Sequence, residues 1–260
     1  MQLQALPAFD DNYIWMLSDA RDAWVIDPGQ ASVVEQALIH QGLSLAGMLV
    51  THHHGDHVGG VAQLLAAYPH AVIHAPRNPR YEFAHQVVEQ GDTVTVLDCP
   101  FEVMEIPGHT LDHVAYFAQP HGQAPLLFCG DTLFYGGCGR VFEGTPEQMW
   151  ASLQQLAALP SATRVCCAHE YTLANLRFAR SVEPNNLNLQ AAEQQCQASR
   201  ANGLPTLPTT IGHERDINPF LRCDQASVRS AARHHLADTA IPDHDAAYFA
   251  VLREWKNNFR

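Results

Sequence analysis

A segment of seven residues carries four imidazoles and one carboxylate directly after an apolar run. It reads Thr51-His52-His53-His54-Gly55-Asp56-His57. Alternate side chains of an extended segment share a face, so His52 and His54 are expected to converge while His53 points away. The glycine permits a sharp turn, after which Asp56 and His57 are predicted to enter a helix. Imidazole nitrogens and carboxylate oxygens are ligands of borderline divalent ions, so this pattern predicts a metal site.

Three further apolar segments, each interpreted as a strand, run into His109, Asp131 and His169. These segments span residues 101–106, 125–129 and 164–168. Strands fix position and their terminal loops present chemistry, so the recurrence predicts a sheet with one functional edge. The combined set offers imidazoles and carboxylates but no thiolate, which suits two ions such as Zn²⁺, or Fe or Mn. The candidate ligands are His52, His54, Asp56, His57, His109, Asp131 and His169.

The elements that would position these ligands are predicted from apolar periodicity and from turn residues. Two predicted strands precede a predicted helix. Ser32 is expected to be its N-cap residue, with Glu35 completing a capping box, and Gly42 is expected to end the helix. A later helix begins at Thr145, because proline follows at the first helical position. The two strands that precede the first predicted helix cover residues 13–17 and 24–27.

The residue pattern changes after about Thr172, because runs of β-branched residues, which are typical of strands, largely disappear from there on. Four helices are predicted from there on, with a loop over residues 203–219 between the second and the third. The helices cover residues 173–182, 187–201, 225–236 and 243–255.

Composition restricts the possible partners. The chain of 260 residues has 27 acidic and 15 basic residues, and its formal net charge of -12 argues against general binding to nucleic acid or to anionic membranes. An anionic substrate must therefore meet a local basic patch. Seven cysteines without a C-x-x-C pair indicate a reducing compartment, and the amino terminus lacks the pattern of a signal peptide. We expect a cytoplasmic monomer.

Several short motifs, in this order along the chain, resemble the metallo-β-lactamase superfamily. The motifs are T-H-x-H-x-D-H at 51–57, G-H-T at 108–110, G-D-T at 130–132 and H-E-Y at 169–171. Within that superfamily the chain resembles glyoxalase II, the hydroxyacylglutathione hydrolase family, and this likeness covers nearly the whole length. It is carried by residues 9–13 (FDDNY), 138–144 (CGRVFEG) and 218–222 (NPFLR), and by Arg253-x-x-Lys256.

The resemblance implies an α/β fold: an αββα sandwich over residues 1–172 followed by a small helical substrate-binding domain over residues 173–260. It implies that one metal is held by three imidazoles and the other by one carboxylate and two imidazoles, with Asp131 bridging the two. The first set is His52, His54 and His109, and the second is Asp56, His57 and His169.

The family's glutathione contacts fall on five positions here, namely Arg140, Phe142, Tyr171, Arg253 and Lys256. The family often has lysine at the position of Arg140, which keeps the charge. It often has tyrosine at the position of Phe142, so a hydroxyl is lost there. The only lysine of the chain stands at the position of Lys256.

The expected reaction is hydrolysis of S-(2-hydroxyacyl)glutathione thioesters, such as S-D-lactoylglutathione, in the second step of methylglyoxal detoxification. Two metals about 3.5–4 Å apart lower the pKa of a shared water toward about 7 and hold the hydroxide as nucleophile. A thiolate leaves near its own pKa of about 8–9, so no separate general acid is assigned. Asp56 and Asp131 are expected to orient the nucleophile as well as to bind metal.

Three other functions are compatible with parts of the sequence. A persulfide dioxygenase of the same superfamily would use a single iron, whereas the complete second ligand set and the carboxy-terminal helices favour hydrolysis. Hydrolysis of β-lactams, lactones or phosphodiesters is disfavoured by Asp131, where many zinc β-lactamases have cysteine, and by the net charge. A non-enzymatic metal-binding protein is disfavoured because all seven ligand positions are intact.

Overall fold

The computed structural model describes residues 1–237 and 240–259. They form two compact units, each assembled from separate stretches of chain. Unit 1 comprises Met1–Glu105, Asp112–Gly130 and Cys166–His169. Unit 2 comprises Ile106–Leu111, Asp131–Val165 and the described residues from Glu170 onward. No helix of the described chain is long and apolar enough to cross a bilayer.

Unit 1 contains ten strands and three helices among its described residues. The strands are β1 Gln2–Ala8, β2 Asn12–Ser18, β3 Asp22–Ile26, β4 Ser44–Leu49, β5 Val72–Pro76, β6 Gln86–Val88, β7 Thr93–Val96, β8 Cys99–Glu105, β9 Val114–Ala118 and β10 Leu126–Phe128. The helices are α1 Ala31–Gln41, α2 Gly55–Val58 and α3 Val61–Ala67.

The first six strands lie side by side in chain order in one mixed sheet. The pairs β1–β2 and β2–β3 are antiparallel, and the following three pairs are parallel. Parallel neighbours end at the same edge, so β3 and β4 deliver the residues that follow them to one place. Their apolar side chains pack with α1, for example Val25 and Met48 with Val34 and Leu38, all of them fully buried. The strands β7 to β10 pair antiparallel in the order β10-β9-β8-β7.

Unit 2 holds a two-stranded hairpin, six helices and a short strand pair among its described residues. The strands are β11 Leu133–Phe134, β12 Gly137–Cys138, β13 Arg164–Cys166, which ends in unit 1, and β14 Thr209–Thr210. The helices are α4 Pro146–Ala157, α5 Thr172–Val182, α6 Leu187–Ala201, α7 Ile211–Ile217, α8 Ala226–His235 and α9 Asp245–Asn258. A single 3-10 turn spans Pro219–Leu221.

Local signals predicted some helix ends correctly. Thr145 caps α4, since its side chain accepts from the Gln148 amide and Gln148 bonds back to Thr145. Gly42 ends α1 in the left-handed region at φ 65°. The capping box at Ser32 is wrong, because α1 begins at Ala31 and its N-cap residue makes no side-chain cap bond.

The prediction of a loop over residues 203–219 is also wrong. The structure has α7 within this range, followed by the 3-10 turn. Thr210 caps α7 by accepting from the His213 amide at 3.3 Å. The four predicted helices of the carboxy-terminal part are confirmed as α5, α6, α8 and α9, with ends that differ by up to three residues.

Candidate metal centre and substrate pocket

The segment after β4 presents two imidazoles together and turns the third away. His52 Nε2 lies 3.0 Å from His54 Nδ1. His53 Nδ1 instead donates to Asp112 at 3.0 Å, and Asn78 donates to the other oxygen of that carboxylate at 2.7 Å. The extended backbone thus produces the alternation expected from the sequence. Two ring nitrogens at this separation are close to the roughly 3.3 Å expected between two ligand atoms of a tetrahedral ion with bonds of ~2.0–2.1 Å.

A second group in unit 1 combines Asp56, His57 and His169. One oxygen of Asp56 lies 3.4 Å from Nε2 of His57 and 3.4 Å from Nε2 of His169. The first two residues enter through the short helix α2, and His169 follows β13. One ligand atom from each of the three lies within 4.8 Å of the others, which is close enough to share one ion.

The ring nitrogens on the far side of these imidazoles are held by other groups. Nδ1 of His57 donates to Asp27 at 3.0 Å, and Nδ1 of His169 donates to Asp11 at 2.8 Å. Nδ1 of His52 lies 3.0 Å from the Thr51 hydroxyl. A carboxylate that accepts from Nδ1 fixes the tautomer that leaves the Nε2 lone pair for a metal. The orientation of the rings therefore fits metal binding.

Asp27 supports the candidate metal centre and was not among the residues predicted from the sequence. It lies directly after β3, is 4% exposed and has φ 54°, a region that non-glycine residues seldom adopt. Its carboxylate accepts from the Thr51 amide at 2.7 Å and from the Thr51 hydroxyl at 2.8 Å, in addition to His57. It thus connects the start of the histidine segment to α2. A signal was present, because Asp27 is the last residue of the predicted strand 24–27 and the predicted ligands likewise stand near the ends of strands.

Asp56 is held as a carboxylate. Burial raises the pKa of Asp56, but the adjacent imidazoles of His169 and His57 and the hydrogen bond from Asn12 more than offset this effect and hold that pKa well below its ordinary value. The amide of Asn12 donates to Asp56 at 3.0 Å. The charged form is the one that binds metal, so the surroundings of Asp56 suit a cation.

Unit 2 contributes a third group of candidate ligands, the pair His109 and Asp131. His109 Nε2 lies 3.4 Å from a carboxylate oxygen of Asp131, and both residues are buried. Nδ1 of His109 donates to the backbone carbonyl of Arg140 at 2.8 Å. This bond again leaves Nε2 of the imidazole available as a ligand. His109 is therefore oriented in the same way as His57 and His169 of unit 1.

A pocket of about 500 Å³ in unit 2 includes this pair in its wall. Side chains from the hairpin region, from the start of α5 and from α9 surround it, and several of them are cationic or aromatic. The five residues expected to contact glutathione all line it, namely Arg140, Phe142, Tyr171, Arg253 and Lys256.

These five residues differ in the exposure of their side chains. Arg140 is exposed, and Phe142 is 59% exposed with its ring 5.2 Å from that of His109. Tyr171 is 38% exposed. Lys256 is half-buried and donates to the carbonyl of Ala174 at 2.9 Å. Arg253 is only 6% exposed.

Arg253 has a structural role in addition to its place in the pocket wall. One of its guanidinium nitrogens donates to the carbonyl of Cys138 at 2.7 Å and lies 3.3 Å from that of Gly139. Its guanidinium also stacks over the ring of Phe220 at 5.2 Å. Truncation of Arg253 would therefore disturb the hairpin as well as any bound anion.

Two family profiles together match almost the whole chain. The profile described as the metallo-beta-lactamase superfamily matches residues 9–169, and the profile described as hydroxyacylglutathione hydrolase C-terminus matches residues 170–259. The predicted fold class, an α/β metallo-β-lactamase fold with a carboxy-terminal helical part, is confirmed.

Curated relatives match this chain over their full length and support the same family. The chain is 53% identical to a hydroxyacylglutathione hydrolase of Albidiferax ferrireducens and 51% identical to one of Cupriavidus taiwanensis, with all of both chains covered in each comparison. Among solved structures, ETHE1 from Myxococcus xanthus matches with a TM-score of 0.64 at 24% identity, covering 97% of this chain and 98% of that one.

The BLEG-1 B3 metallo-beta-lactamase matches with a TM-score of 0.62 at 22% identity, covering 85% of this chain and 99% of that one. At such low identity these two structures support the fold alone. The specific assignment depends on the full-length relatives and on the carboxy-terminal profile, and by these the chain belongs to the hydroxyacylglutathione hydrolase family of the metallo-β-lactamase superfamily.

Proposed function

We propose that this chain hydrolyses S-(2-hydroxyacyl)glutathione thioesters, such as S-D-lactoylglutathione, to glutathione and a 2-hydroxy acid, as in the second step of methylglyoxal detoxification. The observation that carries this proposal is the pocket of unit 2, where Arg140 and Lys256 lie in the same wall as the ligand pair His109 and Asp131. An acidic chain needs such a local group of cations to bind an anionic peptide. All seven cysteines are buried and free of disulfides, which supports a cytoplasmic location.

We further propose that the seven candidate ligands hold two divalent ions, with zinc as the first choice and iron or manganese as alternatives. When bound, such ions supply Lewis acidity and activate water at neutral pH. The chain contributes five imidazoles and two carboxylates, and in His52, His57, His109 and His169 a contact of Nδ1 leaves Nε2 for metal. Asp56 and Asp131 would orient the attacking water in addition to binding metal. The expected monomeric state stays a prediction.

Removing the two accessible cations of the pocket tests the place of the glutathione moiety. In the double variant Arg140→Ala, Lys256→Ala, KM for S-D-lactoylglutathione should rise roughly a hundredfold or more, since two hydrogen bonds to charged groups are lost and each contributes about 1.5–3 kcal/mol. The value of kcat should change little if both cations bind the peptide equally in ground and transition states. Steady-state kinetics on the purified variant measure both.

The matched control for this double variant is Arg21→Ala, Arg77→Ala, which removes the same charge from exposed positions of unit 1. Its KM should remain near that of the unmodified protein. A small thioester without the glutathione moiety should be hydrolysed equally by all three proteins. An unchanged KM for S-D-lactoylglutathione in the pocket variant, or an equal loss with both substrates, would contradict the proposed binding site.

Glutathione binding should also depend on pH through Lys256. Burial, together with repulsion from Arg253, Arg177 and Arg140, lowers the pKa of Lys256 to about 8. The side chain is a cation below this pKa and neutral above it, so kcat/KM for the glutathione thioester should fall as the pH rises from 7 to 9. Loss of one charged contact corresponds to about a tenfold decrease.

The variant Lys256→Arg separates this effect from other titrations, because arginine keeps its charge throughout this range. Its kcat/KM should fall less between pH 7 and 9 than that of the unmodified protein. A small thioester should give the same pH profile with both proteins. Identical alkaline decreases for the two proteins with S-D-lactoylglutathione would show that Lys256 does not control binding.

A further inference from the structure

The β11–β12 hairpin carries functional residues at both of its ends. Asp131 precedes the hairpin and Arg140 follows it. The two ends are pressed together, since Gly139 donates to the carbonyl of Thr132 at 3.2 Å and a Cβ at Gly139 would lie 1.9 Å from the carbonyl oxygen of Asp131. A displacement of the hairpin would therefore move the candidate metal ligand and the pocket cation together.

The same displacement would reach His109. The backbone carbonyl of Arg140 accepts from Nδ1 of His109 at 2.8 Å, and this bond orients the imidazole. The position of the hairpin thus controls a ligand that lies outside it in sequence.

Two side chains of the α7 region hold the turn of this hairpin. Glu214 accepts from the Gly136 amide at 2.8 Å. Asn218 donates to the carbonyls of Gly137 at 2.9 Å and Phe134 at 3.3 Å. Glu214 and Asn218 are joined by a hydrogen bond of 2.9 Å, and both are fully buried. Because they are four residues apart, they lie on one face of the helical segment.

The arrangement specifies one orientation of the turn. The second carboxylate oxygen of Glu214 accepts from the Thr209 hydroxyl at 2.8 Å, and Asn218 Oδ1 accepts from the Phe220 amide at 3.1 Å. Every polar group of the pair is therefore engaged, and a shifted hairpin would leave buried groups without partners.

The charge of Glu214 makes this contact costly compared with an apolar one. Burial raises the pKa of Glu214 to about 7, although hydrogen bonds to Gly136, Thr209 and Asn218 counteract the effect. An apolar side chain at this place would avoid that cost but would leave the Gly136 amide and the Thr209 hydroxyl buried without their present partners. The buried acid therefore supplies the hydrogen bonds that define the position of the turn.

We infer that Glu214 and Asn218 are positioning residues for the proposed thioester hydrolysis. They hold the hairpin so that Asp131 and Arg140 keep their places. His109 keeps its orientation through the carbonyl of Arg140. The inference rests on the proposed function for its kinetic part, whereas the structural part concerns the hairpin alone.

The variant Asn218→Ser tests the inference most directly. Serine is a good N-cap residue, so its hydroxyl can still accept from the Phe220 amide, while the donor to the hairpin carbonyls is lost. We expect amide hydrogen exchange of Gly136 and Gly137 to accelerate about tenfold or more, because the local opening energy falls. The kcat/KM for S-D-lactoylglutathione should fall roughly tenfold to a hundredfold. KM should rise and kcat should fall, because Arg140 and Asp131 both move.

Two substitutions of Glu214 are compared: alanine removes its hydrogen bonds to the hairpin and to Asn218, whereas glutamine can retain them. Glu214→Ala should accelerate exchange and lower kcat/KM at least as much as Asn218→Ser. Glu214→Gln should behave nearly as the unmodified protein, because its amide oxygen can accept from Gly136 and Asn218 while its nitrogen donates to the Thr209 hydroxyl. If Glu214→Ala does not fold, Asn218→Ser and Glu214→Gln still decide the matter.

Glu183→Gln is the control for a purely structural effect. Glu183 is a buried acid of unit 2 that accepts from Arg222 at 2.7 Å and Ser227 at 2.7 Å, and it contacts no hairpin residue through these bonds. At a temperature where stability is matched, this variant should keep hairpin protection and kcat/KM. Metal retained per chain under mild chelation should also fall in Asn218→Ser but not in Glu183→Gln.

The inference is overturned if Asn218→Ser keeps slow hairpin exchange, or if its activity loss is no greater than that of Glu183→Gln at matched stability. It is also overturned if Glu214→Gln is as impaired as Glu214→Ala. If the unmodified protein fails to hydrolyse the thioester, the proposed function is wrong. Hydrogen exchange and metal retention then still test the hairpin contact independently.

Discussion

Asp131→Ala should lower kcat/KM for S-D-lactoylglutathione by roughly a thousandfold or more, which corresponds to about 4 kcal/mol of transition-state stabilisation. Asp131 is 7% exposed and lies 3.4 Å from the ligand nitrogen of His109. It supplies one of only two carboxylates in the proposed set, so its loss removes half of the neutralising protein charge. A bridging position would make both ions depend on it.

The same substitution should lower metal content at both sites, and this is measured on the sample used for kinetics. Asp131→Asn keeps the shape of the side chain and removes the charge, so it should retain thermal stability better than Asp131→Ala while losing similar activity. His54→Ala should lose less activity than either, since His54 would contact one ion only. If Asp131→Ala kept two metals per chain and a near-normal kcat, the bridging assignment would be wrong.

The candidate ligands could be found from the sequence because each is a local feature. All four segments that carry them follow an apolar strand within a few residues. Strand ends are among the more readable features of a sequence, because apolar runs and turn residues mark them. Side-chain alternation then gave the opposite orientations of His53 and its neighbours without any knowledge of the partner of His53.

The residues that orient the ligands could not be found in the same way. Asp11 and His169 are separated by 158 positions, and Asp27 and His57 by 30. Hydrogen bonds between such distant positions leave no periodic signal. Asp27 carried a hint in its position at the end of a strand, and Asp11 lies in the segment 9–13 that carried the family resemblance. The carbonyl of Arg140, which holds His109, is a backbone group and has no sequence signal at all.

The error over residues 203–219 has a different cause. Three prolines and two glycines in or at the ends of this range indicate a loop by local rules. The helix α7 has only seven residues, too few to be stable alone, and its partners lie 78 and more positions away at Gly136 and Phe134. Tertiary hydrogen bonds of Glu214 and Asn218 therefore outweigh the local propensity for a loop.

Exhaustive removal of metal should abolish thioester hydrolysis while leaving the glutathione pocket able to bind. All activity of the proposed centre depends on a charge that the chain does not itself supply, since its ligands are neutral imidazoles and two carboxylates. The cations Arg140, Arg253 and Lys256 belong to the protein and remain. A non-hydrolysable S-alkylglutathione should therefore bind the metal-free protein with an affinity within about tenfold of that of the metal-loaded protein.

Stability should decrease on chelation as well. A ligand present at a thousand times its dissociation constant stabilises the folded state by about 4 kcal/mol, so the metal-loaded protein should melt at a higher temperature. Addition of Zn²⁺, Mn²⁺ or Fe²⁺ should restore activity to different extents, with the increase complete at two equivalents per chain. Each metal is titrated against activity and melting temperature on the same preparation.

The stoichiometry of this titration separates hydrolysis from the dioxygenase alternative. A single iron per chain with oxygen consumption would indicate dioxygenase chemistry on the same fold. Two equivalents with release of free glutathione thiol and no oxygen uptake would support the hydrolase, because Asp56, His57 and His169 then hold an ion of their own. Full activity in protein shown to contain no metal would exclude both mechanisms, and the seven residues would need another explanation.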